Sequence, residues 1–175
     1  YGSNLTNWDV ERTDRILELS DDERGEIGTV VRSYTSWQYP TLEIGPGDGA
    51  WTESLVAGDP LYIIDRHQEF LDSTLGRFNE IYRKRIRPYL NGSHGIPEFD
   101  FTMLPQDQFG FIFAYNYLNY KPIELIEKYL QEFYKKLRPG GRMLFTYNDC
   151  DFPQGIGLAE NNFMCYTPGK KIKAI

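Results

Sequence analysis

The sequence predicts an α/β fold, a doubly wound and mostly parallel sheet with helices on both faces. Three observations predict it. Short apolar segments that read as strands alternate with segments whose apolar residues recur at helical spacing. The first of those strands runs into "GPGDG", residues 45–49, with glycine at every second position. The last long helical segment ends in "RPGG", residues 138–141, which lets the chain reverse into another buried strand.

The elements follow in order. The first forty residues read as helical. Thr6 or Asn7 caps a helix carrying Trp8, Val10, Ile16, Leu17 and Leu19. Asp21 and Asp22 open a second helix through Ile27, Val30, Val31 and Tyr34, where acids suit the helix dipole. Thr41–Ile44 is a short buried strand, and residues 50–56 form a brief helix. Gly58, Asp59 and Pro60 make a turn before "LYIID", a second strand ending at Asp65. Leu71, Leu75, Phe78 and Tyr82 mark one amphipathic helix over residues 67–83, and "RKRIR", residues 83–87, reads as its solvated basic end. One more strand belongs between residues 86 and 101, without a fixed position. "FGFIFAY", residues 109–115, is a buried strand. Pro122 opens a helix whose buried face is Ile126, Leu130, Phe133 and Leu137, and "RMLFTY", residues 142–147, is a further strand. Near the end, Thr167 as cap and Pro168 in the first turn begin a last helix.

A length of 175 residues suits one domain, read as N-terminal helices over 1–40, a ligand-binding core over 41–147 and an incomplete C-terminal part over 148–175. The net charge of −6 disfavours a protein that coats nucleic acid, because phosphate binding relies on clustered Lys and Arg. No apolar run approaches the ~20 residues of a membrane span. The two cysteines, Cys150 and Cys165, lack metal-ligand spacing, so neither a disulfide framework nor a metal site is expected. These traits place the chain in the cytoplasm as an expectation. It starts at Tyr1, so its natural N-terminus is expected to be missing.

The glycine loop carries the functional argument. In doubly wound sheets, ligands bind at the carboxyl ends of the strands. Glycines there turn the chain, leave room for a ligand and point backbone N–H groups at it. Two patterns coexist. Gly45, Gly47 and Ala50 satisfy the dinucleotide fingerprint G-x-G-x-x-A. Glu43, Gly45, Gly47 and Gly49 satisfy E-x-G-x-G-x-G. With the second pattern the chain resembles the class I S-adenosylmethionine-dependent methyltransferases, which are Rossmann-like. Three further segments extend the resemblance over residues 41–147. Asp65 closes the second strand, where an acid accepts from ribose hydroxyls. "FDFTMLPQDQFGFIFAYNYLNY", residues 99–120, resembles the adenine-binding stretch and fourth strand. "LRPGGRMLF", residues 137–145, is similar to the segment before the fifth strand.

The resemblance implies that S-adenosylmethionine is the cofactor and S-adenosylhomocysteine the product. It implies a cofactor site of Glu43, Gly45, Pro46, Gly47, Gly49, Asp65 and Arg66, with Asp100 accepting from the adenine amino group, Phe101 flanking the ring, and Asn116 near the methyl donor. Each has a plainer reading as well: Asp65 caps the next helix, Phe101 packs in the core, and Asn116 caps a turn. Asn116, Tyr117, Asn148 and Asp149 are the candidates on the acceptor side. No catalytic triad is expected, since methyl transfer needs alignment more than a base. Nucleic-acid amino methyltransferases carry Asn or Asp followed by Pro-Pro; "NYLN", residues 116–119, does not, so a small-molecule acceptor is favoured. Two alternatives stay open: a non-enzymatic binding module of a larger protein, and an NAD-dependent oxidoreductase. The family sheet ends in two antiparallel strands, and the 28 residues after Tyr147 are too few for a helix and both, so those strands are expected to be missing or truncated.

Overall fold

The computed structural model describes residues 19–92, 100–161 and 163–175. Five parallel strands form one sheet: β1 (Thr41–Ile44), β2 (Leu61–Asp65), β3 (Ile86–Leu90), β4 (Phe109–Ala114) and β5 (Leu137–Phe145), in the order β3-β2-β1-β4-β5. The order reverses beside β1, and ligands bind outside such a switch point. Among the described residues no antiparallel hairpin follows β5.

Strand alternation sorts the core into two layers. Leu42, Ile44, Ile64, Ile112 and Ala114 face Ile126, Tyr129 and Phe133 of α4 (Ile123–Lys136). Leu61, Ile63, Phe111 and Phe113 face Val31 of α1 (Asp21–Tyr34) and Leu71 of α2 (Gln68–Gly76). Helix α1 begins where the acids predict, and a capping box fixes it. Glu23 N–H donates to Ser20 Oγ at 3.3 Å and Ser20 N–H donates to Glu23 Oε2 at 2.9 Å. The Thr6 or Asn7 cap and its helix lie outside the described residues.

The structure corrects several expectations. Residues 50–56 hold only a short 3-10 helix, Thr52–Leu55. The helix expected over 67–83 divides, because Asn79 starts α3 (Glu80–Arg83) by accepting Tyr82 N–H at 2.9 Å. "RKRIR" is not a helix end alone: Ile86 and Arg87 open β3, and Arg85 pairs with Asp59 at 2.8 Å. Pro88 hid that strand, yet β3 lies at the sheet edge, where a proline's missing N–H is tolerated. "RPGG" does not precede the last strand but forms an irregularity inside β5. Phe109 pairs with Leu137, and the register resumes at Phe111 with Arg142. A side chain at Gly141 would meet Phe109 O at 2.6 Å, so only glycine permits that approach. In α4 the fully buried positions are Ile126, Tyr129, Phe133 and Lys136, and Leu137 starts β5 instead. Lys136 Nζ donates to Leu104 O at 3.1 Å. Pro168, not Thr167, caps the four-residue helix α6 (Gly169–Ile172), which follows α5 (Pro153–Glu160).

Candidate active site

The three loop glycines all adopt left-handed backbone, with φ of 66° at Gly45, 58° at Gly47 and 85° at Gly49. Their surroundings differ. A Cβ at Gly45 would fall 2.5 Å from Cδ2 of Tyr117. One at Gly49 would fall 3.0 Å from Thr74 Cα. At Gly47 it would meet nothing within 4 Å. The close approach at Gly45 and Gly49 is therefore made by the protein itself. Only Gly47 borders open space.

The loop is held from several directions. Gly45 N–H donates to Ile64 O at 2.8 Å, and Gly49 N–H to Pro46 O at 2.9 Å. From α2, Thr74 Oγ1 donates to Gly47 O at 3.1 Å. Arg77, just past that helix, donates through Nε to Asp48 O and pairs with the Asp48 carboxylate at 2.8 Å. A carbonyl and the next N–H point oppositely across a planar peptide, so fixing Gly47 O also fixes Asp48 N–H. Neither Thr74 nor Arg77 stands out in the sequence; their contacts span 27 and 29 residues.

Glu43 is 2% exposed and accepts Thr52 Oγ1–H at 2.6 Å. Burial pushes its carboxyl up to about 8, the Thr52 bond opposes this, and the Asp65 and Asp48 charges add to it. The structure thus gives Glu43 a supporting contact within the protein. Asp65 ends β2 beside the loop. Its Oδ1 accepts His67 N–H at 2.9 Å. Burial raises its pKa, while the backbone N–H groups of His67, Arg66 and Gly47 and the charge of His67 hold it down. Asp65 and Gly47 therefore share one corner of the strand-end surface. Arg66 follows, half-buried.

Asp100 accepts from Thr102 N–H at 3.1 Å and from the Thr102 hydroxyl at 2.5 Å, and these bonds lower its pKa. Phe101 is 3% exposed, its ring 5.7 Å from Tyr129 and 5.3 Å from Phe133. That is the core-packing arrangement. Asn116 lies two residues past β4, with φ of 51°. Its N–H donates to Thr146 Oγ1 at 2.7 Å, and no described group bonds its side-chain amide. Tyr117 packs on Gly45 and shares a hydrogen bond with Tyr129 at 3.1 Å.

The remaining acceptor-side candidates, Asn148 and Asp149, lie in the segment after β5. Asn148 is 4% exposed, and its amide donates to Gly155 O at 2.9 Å and Cys165 O at 3.1 Å. Its amide hydrogens are spent inside the C-terminal segment, so only its Oδ1 is left to accept from an amine or hydroxyl. Asp149 accepts Asp151 N–H at 2.9 Å and Tyr147 O–H at 3.2 Å, and lies against Gly169. These contacts fasten α6. Among the described residues no cluster of His, Cys, Asp and Glu is arranged to hold a metal, and no helix is long and apolar enough to cross a membrane. A hollow of about 280 Å³ lies elsewhere, between α1 and the 3-10 helix, walled by Arg24, Arg32 and Trp51 among others. It shares Ala50, Trp51 and Ser54 with the segment after the loop and none of the loop glycines, so volume does not mark the strand-end site.

A five-stranded parallel sheet with a glycine loop at its switch point and an acid closing the next strand defines a nucleotide-type α/β domain of the methyltransferase plan. The chain belongs to the methyltransferase domain family, whose model matches residues 42–145. That match decides between the two glycine patterns and sets hydride transfer aside. No match was found among the curated proteins. Among solved structures, the fold is similar to geranyl diphosphate C-methyltransferase from Streptomyces coelicolor A3(2), with TM-score 0.66 and 9% identity over 87% of this chain and 59% of that one. It is similar to the YcgJ protein of Bacillus subtilis, with TM-score 0.57 and 16% identity over 72% and 51%. An S-adenosylmethionine-dependent methyltransferase from Mesorhizobium loti matches with TM-score 0.54 and 17% identity over 69% and 52%. The chain spans about half the length of the last two structures.

Proposed function

We propose that this domain binds S-adenosylmethionine at the glycine loop and transfers its methyl group to a small-molecule acceptor. The observation that carries the reading is Gly47. It is the one loop glycine with space beyond its backbone, and it sits beside the Asp65 carboxylate. The residues fit an adenosyl ligand there: a Cβ-free approach, an N–H fixed by Thr74, and an acid placed to accept ribose hydroxyl hydrogens. Bound at that corner, the cofactor supplies an activated methyl group on a sulfonium. The chain's part is to align and to exclude water. Asp65 would hold the ribose, and Gly47 would admit the ligand against the backbone. Asn116, two residues past β4 and with no described group bonded to its side-chain amide, would face the methyl-donor side. Asp100 remains assigned to the adenine side. Phe101 and Glu43 contribute as buried supports. The small-molecule class rests on the absence of Pro-Pro after Asn116, where a 3-10 helix, Leu118–Tyr120, follows instead.

The direct test is isothermal titration with S-adenosylhomocysteine, with NAD as control. Micromolar binding of the first alone is the expected result, and preference for NAD would overturn it. Binding without transfer to any acceptor would make the chain a binding module. Asp65→Ala is expected to weaken S-adenosylhomocysteine by about 1–3 kcal/mol, from lost charge-assisted hydrogen bonds. Unchanged affinity in a folded variant removes Asp65 from the site.

A further inference from the structure

We infer that Thr146, just past β5, is a positioning residue that fixes the Asn116 turn through Asn119. This rests on the reading of that turn as the methyl-donor side of the cofactor site. Asn116 holds a left-handed backbone, φ 51°, which residues other than glycine adopt only where their surroundings hold them. Asparagine bears that conformation better than most residues. Its N–H donates to Thr146 Oγ1 at 2.7 Å. The same hydroxyl donates to Asn119 Oδ1 at 2.8 Å. A hydroxyl has one proton and two lone pairs, so it can accept from one neighbour and donate to the next.

Asn119 is 5% exposed and anchored in turn. Its carbonyl accepts Cys165 N–H at 2.9 Å, and its amide lies 3.8 Å from Met164 Sδ. Thr146 therefore ties three parts of the chain together: the end of β4, the end of β5 and the segment at residues 164–165. What the tie controls is the direction of the Asn116 side chain, whose amide has no described partner. Valine matches threonine in shape and makes neither bond. Serine makes both.

The test compares Thr146→Val and Thr146→Ser with the natural protein. The readouts are hydrogen exchange at the backbone N–H of Asn116, thermal midpoint and S-adenosylhomocysteine affinity. In Thr146→Val the backbone N–H of Asn116 is expected to lose protection, and the dissociation constant to rise roughly tenfold. Thr146→Ser is expected to restore both. Thr146→Ala takes the place of the valine variant if that one does not fold. Natural-like affinity and protection in Thr146→Val would overturn the inference, as would failure of serine to restore them. If the natural protein does not bind S-adenosylhomocysteine, the cofactor reading fails. The exchange measurement then still decides whether Thr146 holds the turn.

Discussion

Replacing Gly47 with valine is expected to reduce S-adenosylhomocysteine affinity by more than about a hundredfold, roughly 2.7 kcal/mol. The argument is steric. Nothing of the protein lies within 4 Å of a Cβ there, so the new side chain would fill the space assigned to the ligand. The backbone also resists: φ is 58°, and a β-branched residue in that region costs the fold about 1–3 kcal/mol. Gly47→Ala separates the two effects, since it carries backbone strain with little reach. Gly49→Ala gives the opposite signature. Its Cβ would press on Thr74 Cα at 3.0 Å, so its main cost is stability. Thermal midpoints and titrations of the three variants resolve the set. Natural-like affinity in a folded Gly47→Val protein would show that the loop is only a turn.

The second large effect concerns Glu43 and pH. Its carboxyl is pushed from 4.5 to about 8 in the folded protein by burial. Between those values the folded state keeps a proton that the unfolded chain releases. Stability from this group is therefore greatest below about pH 4.5 and falls as pH rises toward 8, by up to about 1.4 kcal/mol per unit. Above 8 the loss is complete. Glu43→Gln removes the proton exchange and keeps an oxygen to accept the Thr52 hydroxyl. The variant is expected to gain on the natural protein steadily from pH 5.5 to about 8 in denaturant midpoint, and to gain no more above that. Parallel profiles for the two proteins would refute the buried, protonated carboxyl.

The sequence reading succeeded where one side chain or one period decides the outcome. Apolar alternation located β1, β2 and β4, and the glycines named the loop. Asp65 was legible as the residue that ends β2 beside the loop, because the apolar run before it stops there. What stayed hidden depends on distant contacts or on context. Pro88 argues against a strand until β3 is known to be an edge. Asn79 looks like any polar residue until it caps α3. The bonds of the Asn148 amide were not legible because their acceptors lie at Gly155 and Cys165. Thr74, Arg77 and Thr146 follow no local pattern, since each reaches across 27 to 30 residues to its partner.

The two rims of the sheet have unequal capacity for growth. On the β3 side, Pro88 lacks the N–H that a neighbouring strand would need and exposed Arg87 adds a charge, which blunts that edge. On the β5 side the irregularity is confined to the beginning of the strand, and residues 142–145 present four regular positions in a row. A strand added to this sheet, whatever chain supplied it, would therefore align beside β5.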